Sequence, residues 1–312
     1  MRPFFILCEI LVCSTLLGAE PFVKKVDIPY VPGGGKRQQL DLYLPTDYEK
    51  AVRPLPVLCC IHGSGWSSGD KGYAAQWAHR FVPKGYAIVG FTYRFVPNDP
   101  MPAQVVDCKA AVRWLRANAK EYNLDGLHFG ALGHSAGGHL AAFLGVGGTQ
   151  EFDLGENLDQ SSAVQAAVVL CGPSDFEGWF PGHPAQAGIY DVPIYRTVFD
   201  GMCKYYFGGT FEEKQELIRK MGPLTHASKD SCPMLIFHAV DDELVHVSQS
   251  RKLHAALQKA GAESELIEIP SGNGGHQARS FKTSETIEKI TNFFEKHLRK
   301  QPDKSKKIHK EP

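Results

Sequence analysis

Short apolar runs alternate with longer stretches in which apolar residues recur at helical spacing, and this rhythm holds over most of the chain. Runs of strand length fall at 22–28, 38–44, 57–61, 87–92, 127–132, 163–170, 234–238 and 265–269. The first two alternate polar and apolar residues, the pattern of antiparallel edge strands. Helical periodicity predicts helices over 74–82, 103–121, 136–145, 248–260 and 280–299. Within 103–121, Val106, Ala110, Val112, Trp114 and Leu115 recur among charged residues, so one face of that helix is buried. Strands and helices in this alternation predict an α/β domain: a mostly parallel eight-stranded sheet with helices on both faces.

The rhythm breaks between Asp175 and Leu224. That segment is rich in Gly, Pro and aromatics, among them Phe176, Trp179, Phe180, Tyr190, Tyr195, Tyr205, Tyr206 and Phe207. So long an irregular stretch inside a compact domain predicts a cap-like insertion over 175–224. Trp179 and Trp66 are the aromatics expected to line a substrate pocket.

Composition narrows the picture. The chain has 312 residues and 43% hydrophobic content, enough for one large domain over 20–299. Its formal net charge is zero, so no global field favours nucleic acid or an anionic membrane. Residues 1–19 read as an export signal: Arg2, then an apolar run from Phe4 to Leu17 ending near Ala19, too short for a span of ~20 residues. Glu9 interrupts that run, and an uncleaved anchor is the rival reading. The expected location is secreted or periplasmic. Residues 300–312 form a basic tail, read as a solvated end.

Beyond the leader, Cys59, Cys60, Cys108, Cys171, Cys203 and Cys232 are scattered, without CxxC or metal-ligand spacing. They read as small buried hydrophobes, with one disulfide left open; Cys59 and Cys60, adjacent in a strand, face opposite sides. There is no Rossmann fingerprint, phosphate loop or clustered set of metal ligands, so no cofactor and no metal are expected.

The candidate chemistry centres on Gly133-His134-Ser135-Ala136-Gly137. A buried strand precedes it and small helix formers follow, so Ser135 sits on a sharp strand-to-helix turn that exposes its hydroxyl. Gly133 and Gly137 flank the serine because side chains there would clash across the turn. A second match, Gly65-Trp66-Ser67-Ser68-Gly69, has no apolar helical run after it and reads as a loop.

A serine nucleophile needs a base, and the base an orienting acid. His276, in the glycine-rich segment 271–276 after the last strand, is the expected base. Asp242, after the strand 234–238, is the favoured acid; Asp241 beside it and Asp175 after an earlier strand stay open. The loop His62-Gly63-Ser64-Gly65-Trp66 follows an early strand and is the expected oxyanion hole. Its donors are the amides of Ser64 and Gly65, with Trp66 as an alternative to Ser64, and the amide of Ala136 completes the set. His62 reads as a structural anchor of that loop.

Taken in order, these pieces resemble the α/β-hydrolase esterases related to hormone-sensitive lipase and, more closely, bifunctional feruloyl and acetyl-xylan esterase-like proteins. The matching residues also include Gly69-Asp70-Lys71, Tyr93 to Pro97, Asp107 to Arg116, and Cys171 to Asp175. The resemblance implies an α/β-hydrolase fold, places the acid at Asp242, and implies structural pairing for Arg94 and Asp107. It departs at Ser64, where these families commonly carry glycine. It implies a serine esterase acting through an acyl-enzyme on small-molecule or polysaccharide acetyl or feruloyl esters. Two readings stand against it: an amide hydrolase of the same fold (arylformamidase or peptidase), and a catalytically dead hydrolase serving as a binding module.

Overall fold

A computed structural model describes residues 22–147, 149–179, 193–277 and 279–299. Residues 1–21, 148, 180–192, 278 and 300–312 lie outside it, and with them the expected export signal over 1–19 and the basic tail. No helix among the described residues is long and apolar enough to cross a membrane.

The described residues build one sheet from β1 (Phe22–Pro29), β2 (Gln39–Pro45), β3 (Leu55–Ile61), β4 (Ala87–Phe91), β5 (Leu124–His134), β6 (Ala166–Leu170), β7 (Met234–Ala239) and β8 (Ser264–Ile269). The strand order is β1-β2-β4-β3-β5-β6-β7-β8, antiparallel for β1/β2 and β2/β4 and parallel elsewhere. With helices on both faces, this is the α/β-hydrolase fold. All eight expected strands are present. β2 corrects one expectation, because it lies inside the sheet rather than at its edge. The polar residue behind its alternation, Asp41, is itself buried, where it accepts from the Asp27 amide and pairs with Lys24 and Lys71.

Helices α1 (Ala75–Phe81), α2 (Ala103–Ala117) and α3 (Ala136–Val146) occupy the first half of the chain. α2 stops short of the expected 121, where Asn118 leaves helical geometry and its amide nitrogen bonds the Trp114 carbonyl. One face of the sheet packs on α2 and α3 through Val105, Cys108, Val112 and Leu140. The other packs on α1 through Trp77 and Phe81. Cys59 belongs to the first face and Cys60 to the second, as adjacent strand positions require. All six described cysteines are free and buried.

The segment 175–224 is more regular than expected. It contains α4 (Phe176–Trp179), α5 (Pro193–Phe207) and α6 (Phe211–Met221). α5 buries Phe199, Cys203 and Phe207, one turn apart, and α6 opens on a capping box in which Thr210 and Glu213 bond each other's amides. α7 (Ser248–Ala260) and α8 (Ser284–Leu298) complete the chain, α7 on the face of α2 and α8 on the face of α1.

Candidate active site

β5 runs straight into α3 through Ser135, and the turn is forced. Ser135 has φ 57° and ψ −123°, a conformation L-residues seldom adopt and one costing about 1–3 kcal/mol. Close backbone packing holds it there. A Cβ on Gly133 would lie 2.1 Å from the Gly137 carbonyl oxygen, and one on Gly137 would lie 2.1 Å from that of Ile61. Neither position has room for a side chain.

Three residues from distant parts of the chain meet at this turn. The Ser135 hydroxyl lies 2.8 Å from His276 Nε2, and His276 Nδ1 lies 2.8 Å from Asp242 Oδ2. A carboxylate accepts, so the proton is on Nδ1, leaving Nε2 to accept from the serine. The second Asp242 oxygen takes the amides of Leu244 (3.0 Å) and Val245 (2.8 Å). Burial opposes ionisation of Asp242, but hydrogen bonds from His238, His276 and the Val245 amide outweigh it and hold the acid well below the ordinary carboxylate range.

The other two carboxylates are elsewhere. Asp241 accepts the Gly272 amide at 2.8 Å, and Asp175 pairs with Lys252 at 2.6 Å and receives the Gly178 amide at 3.0 Å. Both are local fasteners.

Three histidines outside the expected set support the arrangement. His134 Nε2–H donates to the His276 carbonyl at 2.8 Å, and the Cys171 thiol approaches the same oxygen at 3.5 Å. This matters because His276 follows Gly272, Gly274 and Gly275, all at positive φ, and that backbone has little stiffness of its own. His238 is buried at the end of β7, bonded to Ser250 Oγ and the Val245 carbonyl, both at 2.6 Å, and braces the Asp242 turn. His139 is fully buried on α3. The i,i+4 spacings of His238 to Asp242 and of Ser135 to His139 were the available signal. His134, Cys171 and His276 bring three potential metal donors within 4.8 Å, but His134 Nε2 and the Cys171 thiol are turned onto the His276 carbonyl.

The loop after β3 lies against the elbow. A Cβ on Gly63 would come within 2.6 Å of the His134 carbonyl oxygen and 3.2 Å of Ser135 Cβ. Ser64, Gly65 and Trp66 follow at φ 72°, 59° and 57°, a left-handed run that reorients the amides beside Ser135. Among the described residues, the amides of Ser64, Gly65 and Ala136 donate to no protein acceptor. Ala136 also opens α3, whose N-terminal dipole favours negative charge.

His62 anchors the loop. It stacks on Tyr93 at 4.4 Å, and the Tyr93 hydroxyl donates to the His62 carbonyl at 3.0 Å. Burial pushes the His62 imidazole down to about 4. Arg94 and Asp107 pair at 2.9 Å and fix the segment after β4.

Of the two pocket aromatics, Trp66 is buried rather than facing substrate: it is 1% exposed and packs on His139, Phe176 and Tyr206. Trp179 ends α4, and its side chain lies outside the described residues. A recess lined by Arg53, Leu55, Leu127 and Arg299 opens near the first residues of β3 and β5 and shares no residue with this site.

The BD-FAE family profile matches residues 40–257. Esterase LipQ of Mycobacterium tuberculosis (strain ATCC 25618 / H37Rv) is 27% identical over 271 residues, covering 86% of this chain and 61% of LipQ. Esterase LipC of the same organism is 27% identical over 285 residues, covering 88% of this chain and 66% of LipC. The chain therefore spans a little under two thirds of the length of these curated relatives. Among solved structures, a truncated form of a carbohydrate esterase from gut microbiota superposes with a TM-score of 0.74 at 26% identity, covering 89% of this chain and 98% of that one.

Proposed function

The chain belongs to the BD-FAE family, and from that premise we propose that it is a serine carboxylic-ester hydrolase working through an acyl-enzyme. The observation that carries the reading is the Ser135–His276–Asp242 chain, with two 2.8 Å contacts in line at a strained strand-to-helix turn.

His276 Nε2 takes the Ser135 proton as Oγ attacks the ester carbonyl, and Asp242 steadies the imidazolium that forms. The oxyanion of the tetrahedral intermediate receives the amides of Ser64, Gly65 and Ala136. The intermediate collapses by breaking the bond to the alkoxy oxygen, which leaves as the alcohol with the proton from His276. A water then enters, gives its proton to His276 and attacks the acyl carbon. The acid departs, and Ser135 recovers its proton.

The substrate class we assign is acetyl or feruloyl esters of polysaccharides, or similar small acyl esters. Support comes from the family and from the likeness to a carbohydrate esterase. An extracellular or periplasmic location, read from the leader, would bring the enzyme to such polymers.

Two assays test the reading together. Ser135→Ala is expected to lower p-nitrophenyl acetate turnover at least ~10³-fold in a folded protein; full turnover would remove Ser135 from the chemistry. The wild-type chain is expected to release acetate from acetylated xylan or ferulate from methyl ferulate. Preference for formyl-kynurenine or peptide amides would overturn the substrate class.

A further inference from the structure

The oxyanion loop and the cap meet at one buried imidazole. His139 lies on α3, four residues after Ser135, with no exposed surface. Its Nε2 lies 2.8 Å from the Met221 carbonyl at the end of α6, so the proton sits there and Nδ1 is an acceptor. Nδ1 receives the Trp66 indole N–H at 3.2 Å. Burial pushes His139 down to about 4, which keeps the ring in the neutral form this relay needs.

Trp66 directly follows Gly65, and the cap grips its indole. Phe176 of α4 lies 5.4 Å from it, ring centre to ring centre, and Tyr206 of α5 meets it edge-on at 5.7 Å. Phe176 also sits edge-on to His139 at 4.9 Å. α4 and α5 therefore touch the residue that ends the oxyanion loop, and α6 reaches it through His139. That loop needs holding, because Ser64 and Trp66 are non-glycine residues in left-handed conformations. Apolar packing alone would leave no reason for a fully buried imidazole paired on both nitrogens.

We propose that His139 is a positioning residue which, through Trp66, lets the cap set the geometry of the Ser64 and Gly65 amides. The inference rests on the ester-hydrolase reading above. Donors aimed at the transition state act on kcat and leave ground-state binding alone. Loosening the loop should therefore lower kcat with KM little changed.

The test is steady-state hydrolysis of p-nitrophenyl acetate by the full chain, with melting curves alongside. Trp66→Phe keeps an aromatic ring and removes the indole donor. His139→Leu removes both nitrogens, whereas His139→Gln keeps a donor and an acceptor. Trp66→Phe and His139→Leu are each expected to lower kcat about 10- to 100-fold with KM within about 3-fold of wild type. The double variant should be no worse than either single, and His139→Gln should recover most of the loss.

Unchanged kcat in Trp66→Phe, a loss confined to KM, or fully additive losses would each overturn the coupling. If His139→Leu does not fold, Trp66→Phe against His139→Gln decides alone. A wild-type chain inert on every ester would count against the hydrolase reading; an active one whose kcat ignores Trp66→Phe counts against the coupling.

Discussion

The same five-residue pattern occurs twice in this chain, and the two copies become different objects. Gly133-His134-Ser135-Ala136-Gly137 closes β5 onto α3, with its serine at φ 57° and bonded to His276. Gly65-Trp66-Ser67-Ser68-Gly69 is a loop whose Ser67 amide and hydroxyl both fasten the Ser64 carbonyl, at 3.1 and 3.2 Å. Their glycines also serve different ends. Gly133 and Gly137 give room for backbone to touch backbone, Gly65 supplies a positive φ in open space, and Gly69 clears the His62 ring. A pattern of residue types acquires meaning from the elements on either side of it. Here the second copy supports the first by shaping the loop beside it.

The glycines offer the largest contrast. Gly137→Ala drives a methyl into the Ile61 carbonyl and is expected to cost more than about 4 kcal/mol, leaving little folded protein. Gly65→Ala meets only Ser67 Oγ at 3.8 Å and pays chiefly for its left-handed φ, about 1 kcal/mol. Chemical denaturation measures both. Equal losses would erase the distinction between the copies.

Acid should weaken both regions through one buried imidazole each. His62 behind the loop and His139 behind the elbow are held down to about 4, from an ordinary value of 6.5. As pH falls below about 6.5 the unfolded chain takes up these protons first, so stability drops until the folded rings titrate near 4. Each contributes up to about 1.4 kcal/mol per pH unit across that window. Denaturation curves at pH 7 and pH 5 should show the decline, and His139→Gln should remove its share. A flat profile would contradict neutral burial of these rings.

The smallest expected effect is at Ser64, where a side chain sits at φ 72°. Ser64→Gly should stabilise the protein by up to about 1 kcal/mol and leave the amide in service. A large loss of turnover in that variant would show that the hydroxyl, and not only the amide, contributes.

Much of this was legible in the sequence because the signals were local and agreed. Eight apolar runs marked eight strands, and the elbow announced itself through glycines that permit one tight turn. His276 was expected from where the loop after the last strand must arrive; position favoured Asp242 but left Asp241 and Asp175 open, and the family resemblance placed the acid at Asp242. Other features depended on partners far away in the chain. The alternation of β2 suggested a solvent-facing side, but Asp41 is buried against Lys24 and Lys71. The helices within 175–224 were obscured by exposed apolar residues such as Val198 and Tyr205, which blur the stripe made by Phe199, Cys203 and Phe207. The roles of His134, His139 and His238 rest on carbonyls 142, 82 and 7 residues distant, and the two longest of these separations have no local trace.

Active-site phosphonylation separates the two serines directly. After exposure to a fluorophosphonate, peptide mapping of the intact chain should find a single adduct on Ser135, absent from Ser135→Ala. An adduct on Ser67, or none in a folded protein, would contradict the account.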